Sequence, residues 1–459
     1  MTTLEQLKAN AIDTQQILEL IEKNQWARLR SILSEANPVD VASLLESLDD
    51  NDRMLVVFRL LPKDLAANVF AYLDSEFQAH IAASISKHEI RTLMDTLFLD
   101  DAVDFLEEVP ANVVTRVLAN TDETTRRLIN QFLNYPDNSA GSIMTIEFVR
   151  IHKDWTVKQA MDSIRKTAPD KETIYTCYVV NQQRNLLGTV ELRHLLLAPD
   201  DTVIRDIMED NPVSVHTLDD REIVAGVVRK YDLMAIPVVD NEARLVGIIT
   251  IDDVVDVIEE ENTEDFEKMA AMHPSEDQYL RTPVLTLAKN RILWLMILMV
   301  SATFTGKIIT HYDNVLEHVV ILASFIPMLM DTGGNCGSQA STMIIRGMAL
   351  GEIRWKDFFK VLFKETRVGL LVACGLTVVN FARLMLFERT GLQIAFVMNI
   401  SLFATVVLAK IIGSILPMLA KKVRLDPALM ASPIITTIVD ACSLMIYFFV
   451  ATRILNIVA

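Results

Sequence analysis

Two aspartates fourteen positions apart, Asp426 and Asp440, stand in the last apolar stretch of the chain. The residues after them stay apolar through Leu444, Ile446, Phe448 and Val450. Pro427 suits a first helical turn, where its missing N–H would have been unpaired anyway. A helix from there to Asn456 has roughly 30 residues, enough to span a bilayer with tilt. Asp440 then falls near the hydrocarbon midplane, where a carboxylate costs at least ~2.5 kcal/mol by insertion scales. Fourteen helical residues rise about 21 Å, which puts Asp426 at the cytosolic mouth on nearly the same face. Thr436 and Thr437 add hydroxyls beside Asp440 at i−4 and i−3. Such an acidic, oxygen-rich stripe suits the passage of a hard cation. The other reading is one buried acid hydrogen-bonded to a neighbouring helix. Intramembrane acids serve function by default, which favours the ion path.

A second polar run interrupts an apolar segment after Pro327: Asp331-Thr-Gly-Gly-Asn-Cys-Gly-Ser-Gln339. Glycines at membrane depth indicate a helix that is broken, with carbonyls freed toward water, or one packed closely on its neighbours. Asn335 is a candidate pore ligand; it and Gln339 serve equally well as hydrogen-bonding groups between helices. Two further acid runs lie in the polar half. Asp100, Asp101, Asp104, Glu107 and Glu108 form one, and such a run is more often a solvated helix face than a ligand site. Asp100 and Asp104 nevertheless share a face with no base between them, an arrangement that a cation would relieve. The other run is Asp252, Asp253, Asp256, Glu259, Glu260, Glu261, Glu264, Asp265 and Glu267, densest of all and self-repelling unless screened. It is expected to continue as a polar helix into Pro274 and Pro283, coupling what precedes it to the first apolar segment.

These residues must be carried by a chain of about three domains, given 459 residues. Residues 1–280 have a net charge of −25 and residues 281–459 a net of +8. The acidic part is a poor partner for nucleic acid and a plausible one for multivalent cations. Apolar segments over roughly 290–311, 315–345, 358–386, 392–420 and 427–456 predict five membrane helices. Bases cluster before the first (Arg281, Lys289, Arg291), after the second (Arg346, Arg354, Lys356, Lys360, Lys364, Arg367) and before the last (Lys421, Lys422, Arg424). On the opposite side Arg383, Arg389 and Arg453 are the main ones. By the positive-inside rule the amino end is cytoplasmic and the carboxyl end extracytoplasmic. Residues 1–30 lack the apolar core of a signal peptide, which agrees. Cys177, Cys336, Cys374 and Cys442 show no CxxC spacing, so neither a disulfide nor a zinc site is expected.

The polar half contains two repeats. Pro38, Pro62 and Pro110, with Ser86 in the fourth slot, recur every 24 residues, followed at plus seven by Leu45, Val69, Leu93 and Val117. Each unit reads as a short helix start with an amphipathic turn set, and such units stack into a small helical solenoid. Further on, Tyr178-Val-Val with Gly188 returns 59 residues later as Pro237-Val-Val with Gly247. Each copy reads strand, turn, strand, then a helix beginning at Glu191 or Asp252, preceded by helices Val157–Lys166 and Asp220–Lys230. This pair resembles cystathionine β-synthase-type (CBS) domains, regulatory modules that often sense nucleotides or ions.

Taken in this order, the chain resembles the MgtE family of magnesium transporters or channels over nearly its whole length. The resemblance rests on the helical amino-terminal part, the CBS pair, the acidic helix, five spans, Gly-Gly-Asn-Cys-Gly-Ser-Gln (333–339), and Asp-Pro-Ala (426–428) followed by Asp440. It implies a multidomain fold: an all-α superhelical domain over 1–135, an α/β CBS pair over 136–260, an acidic connecting (plug) helix over 261–288, and a five-helix transmembrane domain over 289–459. It implies a multi-pass homodimer in the lipid of the cell (inner) membrane that carries Mg2+ and closes when Mg2+ fills cytosolic acids, with ATP as a candidate ligand of the CBS pair. The pore site would be Asp440, with Asp426 at the mouth and Asn335 nearby. The sensing acids would be Asp100, Asp104, Asp220, Glu222, Asp232, Asp253, Asp256, Glu261, Glu264 and Asp265. Two positions depart from the pattern: Asn68 stands where an acid is expected, and Asp331 is an additional carboxylate.

Rival chemistries lack their residues. An intramembrane metalloprotease needs a His-Glu-x-x-His helix, and the one His-Glu start, His88-Glu89, has no second histidine at the required spacing. An ATP-driven pump needs a phosphate-binding Gly-x-x-x-x-Gly-Lys loop, which is not present. No enzyme activity is expected. Another divalent ion such as Co2+ or Mn2+, or a membrane sensor without a pore, are the alternatives; oxygen ligands without His or Cys favour the harder ions.

Overall fold

The computed structural model describes residues 14–457 apart from 49, 276–278, 281, 389 and 431. Arg281 and Arg389 of the charge argument therefore lie outside the described residues. The chain divides into two compact units, Met1–Val257 and Ile258–Ala459.

The first unit opens with short helices, from Thr14–Glu22 to Glu123–Phe132. The 24-residue period is real, but each period holds two helices rather than one helix and a turn set. Pro38–Glu46, Lys63–Ala71, Lys87–Met94 and Ala111–Asn120 are one series; Asn51–Phe58, Ser75–Ser84, Leu99–Glu108 and Glu123–Phe132 are the other. Each helix packs on the next of its own series. Proline starts the first series by fixing φ where no N–H is needed. In the slot without proline, Ser86 caps the helix instead: its Oγ accepts from the Glu89 N–H, and the Glu89 carboxylate accepts from the Ser86 N–H at 2.6 Å. The plus-seven positions Leu45, Val69, Leu93 and Val117 are all buried; of the plus-three positions Val41 and Val113 are buried and Leu65 is half-buried.

Two small sheets follow. Strands β1 (Phe148–His152), β2 (Thr173–Val180), β3 (Leu186–Glu191) and β4 (Glu209–Asp210) lie in that order, β1 parallel to β2 and the rest antiparallel. Strands β5 (Val215–His216), β6 (Ala235–Val239) and β7 (Leu245–Thr250) repeat the parallel-then-antiparallel pattern. Helices Val157–Thr167 and Arg221–Tyr231 connect the parallel pairs. The two glycines of the 59-residue repeat are explained by close approach. A Cβ on Gly188 would lie 2.5 Å from the Glu209 carbonyl, and one on Gly247 would lie 2.6 Å from Met144 Sδ. The acidic helix starts from β7 and runs Ile251–Met269. It does not continue to 288: Ala271 turns left-handed at φ 54°, Pro274 follows, and the next helix begins at Val284.

In the second unit the described residues form five helices of 24 residues or more: Val284–His311, Ile326–Ala349, Phe358–Arg383, Leu392–Lys422 and Ser432–Leu455. Among the described residues four segments are long and apolar enough to cross a membrane; Ile326–Ala349, which holds the polar run, is not among them. The expected segment 315–345 is divided before Pro327: a short helix Asp313–His318 and a 3₁₀ stretch Val320–Phe325 come first. From Pro327 on the helix is unbroken, so its glycines serve close packing. Helix Leu392–Lys422 is central, packed on Ile326–Ala349, Phe358–Arg383 and Ser432–Leu455. A Cβ on Gly333 would meet Thr405, Ser443 and Val439, one on Gly337 would meet Ile435, and one on Gly413 would overlap the Gly337 carbonyl. Small residues let the backbones approach where lipid supplies no hydrophobic drive between helices. Helix Val284–His311, by contrast, buries only Thr305 and leaves Leu293, Met296, Val300 and Phe304 exposed.

Candidate functional site

The pore residues expected from the sequence lie on two neighbouring helices and the turn before one of them. Asp440 is half-buried on Ser432–Leu455, and the neighbouring charge that bears on it is Asp331 of Ile326–Ala349. Asp331, Asn335 and Gln339 succeed one another at four-residue steps, so they share a helix face, and all three are exposed. The Thr436 and Thr437 hydroxyls donate to the Pro433 carbonyl at 2.9 and 3.0 Å, leaving their oxygens able to accept from, or ligate, a neighbour.

Asp426 does not share one continuous helix with Asp440. Pro427–Met430 is a separate 3₁₀ turn and the helix proper starts at Ser432, so the face predicted for Asp426 does not follow. Its Oδ1 instead accepts from the Ala428 N–H at 2.8 Å and caps that turn. Its Oδ2 meets Lys268 of the acidic helix at 2.7 Å, and Lys268 also pairs with Glu264 at 2.6 Å. Asp265 lies beside this group. Desolvation, and then repulsion from Asp426, push its carboxyl up to about 6. Two opposing charges and a third, poorly solvated acid thus meet where the sequence places the inner mouth. Glu261 precedes them by one turn.

A second concentration of acid lies wholly in the first unit. Asp100 is buried, 7% exposed, so the run 100–108 is not simply a solvated face; Asp104, Glu107 and Glu108 are its open side. Burial forces Asp100 well above the usual carboxylate range, and repulsion from Asp101 and then Asp253 adds to it. Asp101 rises to about 6, through burial and then Asp253 and Asp252. Asp104, although its side chain reaches the surface, is raised to about 8, first by desolvation among its neighbours and then by Asp253. Asp253 rises to about 6, chiefly by burial, although Thr250 Oγ1 donates to it at 2.6 Å. Asp256 adds to the repulsion on Asp253. Glu172, at the threshold of β2, joins them and rises to about 7 through burial and then Asp101, Asp252 and Asp253. The sequence offered no signal for Glu172, because only the chain path brings it to Asp101. Among the described residues no three acids or imidazoles converge closely enough to hold a bare ion.

The remaining predicted acids stand apart from that cluster. Asp220 caps the helix Arg221–Tyr231, accepting from the Glu222 N–H at 2.9 Å; Glu222 is exposed in its first turn. Asp232 ends the same helix in a left-handed conformation, φ 52°, and is exposed. The conformation favours a small polar residue there, which is a structural reason for an aspartate at that position.

Three family models match the chain. One described as a divalent cation transporter (MgtE) covers residues 326–450, one described as the MgtE intracellular N domain covers 36–138, and the CBS domain matches 140–201 and 204–260. The chain is 36% identical over 444 residues to the magnesium transporter MgtE of Thermus thermophilus, covering 96% of this chain and 98% of the relative. It is 31% identical to the magnesium transporter MgtE of Bacillus subtilis, covering 96% and 97%. Among solved structures it is similar to the soluble part of a magnesium transporter, with 32% identity, a TM-score of 0.52, and coverage of 54% of this chain and 97% of that one. A cytosolic domain of the Mg2+ channel MgtE in complex with ATP is similar at 36% identity and a TM-score of 0.51, covering 53% and 99%.

Proposed function

The chain belongs to the MgtE family of magnesium transporters, and from that premise we propose that it is a dimeric, Mg2+-gated path for Mg2+ across the cell membrane. The observation that carries the path is Asp440: an acid on an apolar helix, half-buried, facing Asp331 across a glycine-packed seam. Mg2+ gives up its water reluctantly and is usually held through it by one or two carboxylates and carbonyls. One Asp440 per chain, repeated by a two-fold axis, with Asn335 near it, supplies that kind of site. In this reading Ile326–Ala349 is the fifth span despite its polar residues, because they face the path rather than lipid. The ten short helices of the described residues form a superhelical stack, the amino end is cytoplasmic and the carboxyl end extracytoplasmic.

Gating follows from the acids. Without Mg2+, Asp100, Asp101, Asp104, Glu172 and Asp253 repel one another in the soluble unit, and Asp265 repels Asp426 at the mouth. A hydrated dication between carboxylates replaces repulsion with attraction. Asp256, Glu261 and Glu264 extend the acidic helix's share, with Asp220, Glu222 and Asp232 as outlying sites. Several weak sites that prefer one arrangement shift the balance steeply. The solved relative that binds ATP supports nucleotide at the CBS pair of this chain as well.

The test is Mg2+ flux into proteoliposomes bearing the full chain. Asp440→Asn is expected to reduce it to background while the protein still elutes as the wild-type oligomer. Wild-type flux through that variant removes Asp440 from the path. Equal flux of Co2+ or Mn2+ changes the ion, and no flux of any divalent ion leaves a sensor without a pore.

A further inference from the structure

Helix Leu392–Lys422 carries a lysine in the middle of the membrane unit. Lys410 is 5% exposed. Its stem packs on Gly369, and its Nζ donates to Gln339 Oε1 at 3.1 Å. No carboxylate lies within ion-pair reach of it among the described residues. A buried ammonium with one neutral partner is costly at this depth, and a methionine of similar length would fill the space without that cost. Packing alone therefore does not account for the residue.

Its position does. The Ala409 carbonyl, next to Lys410, lies 3.4 Å from where a Cβ on Gly337 would stand; Val439, next to Asp440, lies 3.3 Å from the same point. The backbones of Lys410 and Asp440 thus lie at one level of the bundle, with the ammonium directed to Gln339 and the carboxylate neighboured by Asp331. Gln339, which Lys410 holds, shares its helix face with Asn335 and Asp331, the latter about 12 Å along the axis. We propose that Lys410 sets how tightly the ion path holds its dication: its fixed charge offsets one of the two carboxylates that each chain brings there. Two copies then present a net charge of two negatives, which one dication balances. Without the lysine, four negatives in a medium of low dielectric hold a dication too tightly to release it quickly.

This inference rests on Asp440 as the pore acid, and the experiment separates the two. Currents are recorded through the full chain in excised patches, with the cytosolic face free of Mg2+ and the extracytoplasmic Mg2+ varied. Lys410→Met is expected to lower the half-saturating Mg2+ by about three- to tenfold and to lower the maximal current as well, because the ion leaves a deeper well slowly. Lys410→Arg keeps the charge and stays within about twofold of wild type. Gln339→Glu, which preserves shape and places a carboxylate on the lysine, shifts the half-saturation in the same direction as Lys410→Met and provides the reading if the latter does not fold. A half-saturation that is unchanged or raised in whichever of these two folds overturns the proposal, since lost packing alone lowers current without tightening the site. Asp440→Asn, recorded alongside, tests the premise: wild-type current through it overturns the pore assignment, whereas a silent Asp440→Asn beside an unshifted Lys410→Met overturns the role of the lysine alone.

Discussion

Lys268 lies 2.7 Å from Asp426, and this one contact ties the end of the acidic helix to the turn that opens the last membrane helix. The lysine side chain is 18% exposed, so the pair is shielded more than a surface ion pair. It is also shared, because Glu264 takes the same ammonium at 2.6 Å.

Lys268→Met leaves Glu264, Asp265 and Asp426 close together with no base between them among the described residues. Repulsion should then drive the acidic helix from the mouth at low Mg2+, raising open probability about fivefold in single-channel records. Raised cytosolic Mg2+ should still close the path, since the acids remain. An open probability equal to wild type at low Mg2+ would show that the contact does not hold the closed arrangement.

Neutralising Asp253, Glu261, Glu264 and Asp265 together removes both the repulsion and the ligands. Currents through this variant should no longer fall when cytosolic Mg2+ is raised to millimolar levels. Normal inhibition in patch recordings, or a wild-type cytosolic part (residues 1–270) to which Mg2+ gives no added protection from protease, would count against gating by these acids.

The acid cluster of the first unit also sets a pH dependence. Asp101 and Asp253 are raised to about 6 and Glu172 to about 7, and Asp100 and Asp104 are raised as well. Each group therefore holds its proton to higher pH folded than unfolded. Between about pH 4 and pH 8, the upper limit set by Asp104 at about 8, the folded state binds more protons, so stability falls as pH rises. Residues 1–270 in chelator should melt several degrees lower at pH 8 than at pH 6, and Mg2+ should raise the melting temperature more at pH 8. A melting temperature independent of pH in chelator would contradict this account of the cluster.

Gly413→Ala tests the seam beside the path. The added methyl would overlap the Gly337 carbonyl on the facing helix. Overpacking of this kind costs about 1–3 kcal/mol, so the purified protein should unfold at a lower temperature and carry less Mg2+. Gly375→Ala, in open space on helix Phe358–Arg383, is the control and should change neither. Equal behaviour of the two variants would mean that the helices separate there without cost.

Local pattern in the sequence determined much of this protein. Apolar runs are set by the bilayer's thickness, and four of the five expected spans meet the length and apolarity of a crossing helix. The 24- and 59-residue periods are visible because each repeat buries the same positions, as Val41, Leu45, Val69 and Val117 do. The motif around Gly333–Gln339 and the acids before and after Pro427 were legible because glycine and carboxylate are costly in an apolar run. Tertiary structure decided what meets what. The 3₁₀ turn at Pro427–Met430 separates Asp426 from the helix of Asp440, where periodicity alone put them on one face. Glu172 reaches Asp101, and Lys268 reaches Asp426, through chain paths no spacing encodes. Asp100 lost its water, and Lys410 its bulk solvent, to neighbours distant in sequence. Charge and hydropathy are properties of single residues and short windows, whereas desolvation and Coulomb repulsion depend on distances that only the packed chain fixes.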